Sequence, residues 1–229
     1  MKTFKILGLL LTYPEGTFLK ARQEILETLR AEAILPSTAL AAIERFFDLQ
    51  CAKDLLSVQE DYVDTFDRGR AHCLHLFEHI HGESRNRGQA MIDLIETYKS
   101  KGLAISNNEL PDYLPLFMEY LSCCSFDEAQ DLLGDAINVI SLIGLKLKQR
   151  KSPYAHVFMA IESLSSVKPE KEKLEQALKD APKDPETLDE LDEEWEEAEA
   201  FGGDPIEACS SCNQFPNAIR DLEKQVGGA

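Results

Sequence analysis

No apolar run in this chain approaches the roughly 20 residues that a bilayer-spanning helix needs, so membrane-spanning readings fall away. Nor is there sustained apolar–polar alternation of the kind a half-buried strand displays, which argues against a sheet-based fold. No internal repeat recurs, which removes solenoid and array architectures. Aromatics make up only 8% of the 229 residues and Trp195 is the one tryptophan, so a sizeable core must be mostly aliphatic. Basic residues vanish over 184–207, which holds twelve acids and no Lys, Arg or His. Without that stretch the formal charge of −17 shrinks to −5, an ordinary surface for a globular domain. An acidic chain repels nucleic-acid phosphates and anionic lipid headgroups, leaving a basic peptide or protein surface as the charged partner it would attract. The plainer reading of the acid is solubility.

Six cysteines are present, irregularly spaced, in a chain too large to need a disulfide framework. Cys51, Cys73, Cys123 and Cys124 read as buried reduced thiols. Cys209 and Cys212 form a single C-x-x-C pair, short of the four ligands a structural zinc site wants and without a thioredoxin context. At the start, Lys2 and Lys5 precede Ile6-Leu7-Gly8-Leu9-Leu10-Leu11, which mimics a signal peptide. The run is too short and no small-residue cleavage site follows, so the chain is expected to stay in the cytoplasm.

What is there is helical periodicity, almost from end to end. Leu55, Val58, Tyr62 and Phe66 step by three or four, as do Met91, Leu94, Ile95 and Tyr98, and Leu114, Phe117, Met118 and Leu121. The longest stripe runs through Leu132, Ala136, Ile140, Ile143 and Leu147. Each stripe must face another helix to leave water, which predicts an all-α, multi-helix bundle. Pro14, Pro36, Pro111, Pro153 and Pro169 fall between periodic runs, and Gly69, Gly82 and Gly102 sit at helix ends. Helices are expected over 2–12, 16–32, 37–50, 54–67, 70–80, 84–100, 111–122, 126–149 and 153–165. Residues 1–165 read as one helical domain and 166–229 as a charged, mobile or loosely docked tail with a short charged helix near 168–181. Leu188, Leu191 and Trp195 could dock from that tail as an acidic amphipathic helix.

Chemistry concentrates in one stretch. Four of the five histidines lie between 72 and 81. On a helix over 70–80 the apolar stripe is Cys73, Leu76, Phe77 and Ile80, which sets His72, His75 and His79 on another side, facing water, a groove or a neighbour. His75-x-x-Glu78-His79 also matches an inverted zinc-peptidase pattern, in which imidazoles four apart share a metal and the Glu activates water. That reading, a zinc-dependent hydrolase, is the alternative function and lacks an identifiable third ligand. Next, Arg85 and Arg87 sit among Glu83, Ser84 and the hinge glycines Gly82 and Gly88. The guanidinium groups can pair with Glu78, Glu83 or Asp67 to lock a loop, or line a recognition groove between helix ends; both can hold together.

The string through Tyr62, Phe66, Asp67, Arg68, His75, Phe77, Glu78, His79, His81, Gly82, Glu83, Arg85, Arg87, Gly88 and Gln89 resembles the motif of NarJ-type nitrate reductase delta-subunit chaperones, within the redox-enzyme maturation chaperones. Glu109-Leu110-Pro111-Asp112-Tyr113-Leu114-Pro115-Leu116-Phe117 continues the likeness. Leu9-Leu10-Leu11-Thr12-Tyr13-Pro14 is similar to the family's first helix and turn. The likeness spans roughly 4–165 and is strongest over 59–121.

The resemblance implies a single helical bundle with a charged tail and no catalysis of its own. It implies a cytoplasmic, system-specific chaperone for the immature catalytic subunit of respiratory nitrate reductase, bound through its N-terminal segment in the apo alpha–beta complex. The client would be held open for molybdenum cofactor and iron–sulfur insertion before membrane docking, with cofactor delivery proteins as further partners. The molybdenum cofactor would belong to the client, with none bound stably here. Those motif positions then become the client-binding candidates.

Physically, an amphipathic helix would lie in an apolar groove, expected between the helices of 54–100 and 111–122. Phe66, Phe77, Tyr113 and Phe117 are its candidate anchors, although each also suits a core. Asp67, Glu78 and Glu83 would meet basic residues of the partner, and the histidines imply pH-dependent binding near neutrality.

Overall fold

The longest stripe of the sequence becomes the spine of the fold. In the computed structural model, which describes residues 1–17, 19–68, 70–81, 85–105 and 109–180, helix α8 spans Phe126–Gln149. Ser125 caps its start by accepting from the Glu128 N–H, Asp127 and Glu128 occupy the first turn, and Lys146 and Lys148 the last. The caps and the end charges both match the helix dipole. Ile140, Ile143 and Leu147 are fully buried, as the period of 3.6 demands.

The other described α-helices are α1 Lys2–Leu9, α2 Arg22–Glu32, α3 Ser37–Cys51, α4 Leu55–Phe66, α5 Glu78–His81, α6 Arg85–Ser100, α7 Leu114–Cys123, α9 Ala155–Glu162 and α10 Lys171–Asp180. Helix α9 packs between α8 and α3, while α1 packs on α2 and α7. A Cβ on Gly144 would stand 3.1 Å from Phe158 Cβ, so the glycine sets how closely α8 and α9 cross. At the far end of that crossing an aromatic cluster fills the core. The Phe66 and Tyr154 rings lie 4.8 Å apart at 71°, with Phe46 and Tyr62 against them. Fully burying each such ring is worth about 1.5–3 kcal/mol. Gly102 follows α6 at φ +74°, the left-handed end its position predicts.

Several sequence expectations change. Helices α1 and α2 are shorter than the periodic runs: the chain leaves α1 after Leu9, and α2 begins only at Arg22. Cys51 and Cys123, each the last residue of its helix, are exposed rather than buried; Cys73 is half-buried and Cys124 buried. Gly88 lies inside the first turns of α6 with open space around it, so it is no hinge.

The largest change falls on 70–80, which is not one helix. A 3-10 turn, Arg70–His72, gives way to an extended piece before α5. That piece pairs with the segment before α7 through an antiparallel bridge between His75 and Tyr113. The Leu76 N–H donates to Asp112 O at 3.0 Å and the Leu114 N–H to Leu74 O at 2.8 Å. Backbone bonds to a segment some forty residues away outcompete the local helix.

Beyond Ser166 the described chain does not stand apart. Val167 lies against Gly134, the Glu170 N–H donates to Asn138 Oδ1 at 2.9 Å, and Leu174 of α10 is buried on α8. The acidic run, Leu188, Leu191, Trp195 and the Cys209/Cys212 pair lie outside the described residues. Among the described residues, no helix is long and apolar enough to cross a membrane.

Candidate functional site

Helix α1 is apolar on two sides, and this creates the site. Phe4 and Leu7 point inward and are fully buried, while Ile6 and Leu9 point outward, Leu9 being 51% exposed. Two close contacts hold α1 in place. A Cβ on Gly8 would meet Met118 Cβ and Pro115 O, both at 2.9 Å, so only glycine lets α1 lie this near α7. At the other edge the Glu32 carboxylate, from the end of α2, accepts from Thr3 N–H and Thr3 Oγ1 at 2.6 Å each and from Lys2 N–H at 2.9 Å. These are donors that the start of α1 leaves unpaired. Burial pushes the Glu32 carboxyl up, but the Thr3 and Lys2 hydrogen bonds and the positive N-terminus outweigh it, holding it below its ordinary value.

The outer face of α1 is thus the floor of a groove of about 620 Å³, the size of a small-ligand or side-chain-lined site. One wall is α2, with Ile25 and Thr28; the other comes from Ile105, Tyr113 and Leu116. Its surface is mainly apolar, with Lys2, Lys5, Glu24, Glu109 and Glu119 at the rim.

The cleft expected between 54–100 and 111–122 does not open. Those faces are sealed against each other: Leu74, Leu76, Phe77, Leu114 and Phe117 share one core. The groove lies beyond them, on the other side of the segment that carries Tyr113.

The motif residues stand behind that wall. Tyr62 donates from its hydroxyl to Leu11 O at 3.0 Å, and the Tyr113 hydroxyl is 3.5 Å away. The His75 ring lies 5.4 Å from that of Tyr113, and its Nδ1 stands 3.4 Å from Asp112 Oδ1. Asp112 is fully buried, and its Oδ2 accepts from the Phe77 N–H at 3.0 Å. Phe66 and Phe77 are core residues, while burial raises the Asp67 carboxyl.

Arg87 pairs with Glu78, as the loop-locking reading expects, and Arg70 approaches Glu78 at 4.0 Å. Arg68, just beyond the end of α4, pairs back with Asp64 at 3.3 Å, and Gln89 donates to Asp93 at 2.7 Å along α6. Gly82 and Glu83, and the side chains of His81 and Arg85, lie outside the described residues.

The histidines do not share one exposed face. His72 is buried. His79 donates from Nε2 to Cys73 O at 2.8 Å, and desolvation pushes its imidazole down to about 4. It therefore carries no charge change near neutrality, so this member of the cluster does not supply the pH dependence expected of the histidines. Cys73 Sγ stands 4.0 Å from His79 Nε2, yet burial drives the thiol up to about 11. A thiol tuned up beside an imidazole tuned down is the reverse of a nucleophilic pair.

The zinc-hydrolase geometry fails too. Helix α5 begins at Glu78, so His75 is not one helical turn from His79, and Glu78 is held by Arg87. Among the described residues no three His, Cys, Asp or Glu side chains converge on a metal-sized site.

Ile6, Leu9, Ile25 and Leu116 were missed as site residues by reading the polar motif. A signal for them was present: a helix apolar on two sides, as α1 is, must be covered on both.

Fold and groove together define a class: an all-helical bundle with an open apolar channel along its first helix. A family profile described as nitrate reductase delta subunit matches residues 31–160, more than half of the chain. The chain is 39% identical over 192 residues to the nitrate reductase molybdenum cofactor assembly chaperone NarJ of Escherichia coli (strain K12), covering 84% of this chain and 81% of that protein. It is 35% identical over 218 residues to the probable nitrate reductase molybdenum cofactor assembly chaperone NarW of the same strain, covering 94% and 91%. A probable chaperone of the same name as the first, from Bacillus subtilis (strain 168), is 28% identical over 165 residues, covering 69% and 86%. The chain belongs to the nitrate reductase delta subunit family.

Proposed function

We propose that this chain is a nitrate reductase assembly chaperone, holding the immature catalytic subunit while the molybdenum cofactor is inserted. The observation that carries the reading is the second apolar face of α1, open along the floor of the 620 Å³ groove. The eight residues of α1 run roughly 12 Å, so the groove matches about two turns of a client helix. An amphipathic segment laid there would cover Leu9, Ile6 and Ile25, the helix-in-groove mode of recognition. The N-terminal segment of the catalytic subunit is the proposed occupant.

In this reading the Tyr62–His75–Asp112–Tyr113 network braces the wall from behind, and the client-binding role of the remaining motif residues is exerted through that wall. The chain itself performs no catalysis and keeps no cofactor, the molybdenum cofactor passing to the client. It works in the cytoplasm, before the client docks at the membrane, with cofactor delivery proteins as transient partners.

Deleting the gene and assaying nitrate reductase tests the proposal. The expected result is catalytic subunit that accumulates without molybdenum and without activity, restored by the wild-type chain. Fully active, cofactor-replete nitrate reductase in the deletant would refute it.

A further inference from the structure

The groove has two chemically different ends. Three contacts set the register of its walls. Glu32 meets Lys2 and Thr3, Lys5 Nζ pairs with Glu119 Oε1 at 2.8 Å, and Gly8 abuts Pro115. The last two contacts run α7 antiparallel to α1; the first sets the end of α2 beside the start of α1, and with Glu24, Ile25 and Thr28 lining the same groove α2 runs antiparallel as well. The end beside the start of α1 holds Lys2, and the Lys5–Glu119 pair, which is neutral as a unit. Toward the end of α1 the walls supply Glu24, one turn before Thr28 on α2, and Glu109, four residues before Tyr113. Tyr113 is fixed at that end because Tyr62 reaches both its hydroxyl and Leu11 O. Glu24 and Glu109 are exposed carboxylates, and among the lining residues no cation sits at their end.

From this asymmetry we infer that the groove selects helical segments by charge polarity: apolar residues on the α1 floor, with lysines or arginines clustered at the end that meets Glu24 and Glu109. Those two carboxylates are then the specificity-determining residues, and the apolar floor supplies affinity without direction. Charges at such a rim govern which partner and which register is accepted, more than how tightly it binds. The same carboxylates repel the chain's own acidic 184–207 stretch, so a foreign basic segment is the better-matched occupant. This inference rests on the groove reading proposed above, and its test separates the two.

The probes are two synthetic amphipathic peptides of about 14 residues, with apolar side chains at i, i+3, i+4 and i+7. One carries lysines at one end; in the other, glutamates replace them. Calorimetry with the full chain should give tighter binding of the lysine peptide. Glu24→Lys with Glu109→Lys should weaken the lysine peptide about tenfold and tighten the glutamate peptide, inverting the preference. Both residues are exposed, so the fold and its melting curve should be unchanged.

Leu9→Gln should weaken both peptides alike. Carbodiimide should link peptide lysines to Glu24 and Glu109. If Leu9→Gln weakens both peptides but the double reversal leaves their ratio unaltered, polarity selection is wrong and the groove survives. If neither variant changes either affinity, the groove reading and this inference fall together. Links from Lys2 or Lys5 to acids of 184–207, or between two chains, would assign the groove to this chain's own segment or to a second copy and overturn the inference.

Discussion

Gly8→Ala is the sharpest probe of how the groove is built. The added Cβ would stand 2.9 Å from both Met118 Cβ and Pro115 O. The first is tied directly to the α7 backbone and the second is backbone in the first turn of α7, so neither can swing aside. Helix α1 must then lift off α7, and overpacking of this kind costs ~1–3 kcal/mol. Alanine returns up to ~1 kcal/mol through its better helix propensity. The net expectation is a loss of ~1–2 kcal/mol, or a fall in Tm of ~3–6 °C for a domain of this size.

Because α1 and α7 form the floor and one wall of the groove, peptide affinity should fall with stability. Adding Met118→Ala should recover nothing, since alanine keeps the clashing Cβ and the Pro115 carbonyl remains, and emptying the fully buried Met118 position should cost about 2–5 kcal/mol more. Differential scanning calorimetry and peptide titration of wild type, single and double variants measure this. A Tm equal to or above that of wild type in Gly8→Ala would show that α1 and α7 do not meet at this glycine, and the account of the groove would go with it.

Asp112→Ala removes the acceptor of the Phe77 N–H and the partner of His75 Nδ1. It should cost ~2–4 kcal/mol and speed amide exchange at Phe77, while Asp112→Asn, which keeps an acceptor, should cost about 1 kcal/mol; equal effects of the two would sink the buried-acceptor account. The His79 imidazole, followed by NMR, should keep its proton on Nε2 and titrate near 4. Its folded value lies below the ordinary one, so its stabilising contribution is present above about pH 6.5 and is lost as pH falls toward about 4. A midpoint near the ordinary value would mean the ring is open to water. Glu32, held low by Thr3 and Lys2, should stabilise above the ordinary carboxylate range and lose that contribution as pH falls through its lowered value. Glu32→Gln should therefore destabilise at neutral pH and soften the acid limb in urea melts; an unchanged acid limb would count against the α1 cap.

The helices that the sequence located best are those with local punctuation. Helix α8 begins after Ser125, an N-cap, and ends among Lys146 and Lys148, which is why its expected bounds and its observed bounds coincide. Asp54 caps α4 in the same way, accepting from the Ser57 N–H at 3.0 Å. The stretch over 70–80 has no such stop signal, and its apolar spacing suits a helix. What breaks it is Asp112, whose carbonyl and carboxylate take the Leu76 and Phe77 N–H groups. The same event buries His72 and turns His79 toward Cys73, so the exposed histidine face drawn from a helical wheel dissolves.

The candidate site was legible only in part. The motif from Tyr62 to Gln89 carries the family likeness, and the charges of its loop already imply the Arg87–Glu78 pair. Its location relative to the groove is not legible there, because a second apolar face on a short helix has the same pattern as ordinary core.

By itself the sequence determined the helical class, the punctuation of α4, α8 and their neighbours, the acidic balance and the family, since period, capping and motif are properties of residues near one another in the chain. Tertiary structure alone decided that 54–100 and 111–122 close on each other, that α1 turns one apolar side outward between α2 and α7, and that an acidic end forms from Glu24 and Glu109. Those outcomes depend on which distant backbone groups satisfy each other in the dry interior, a competition that no local pattern records.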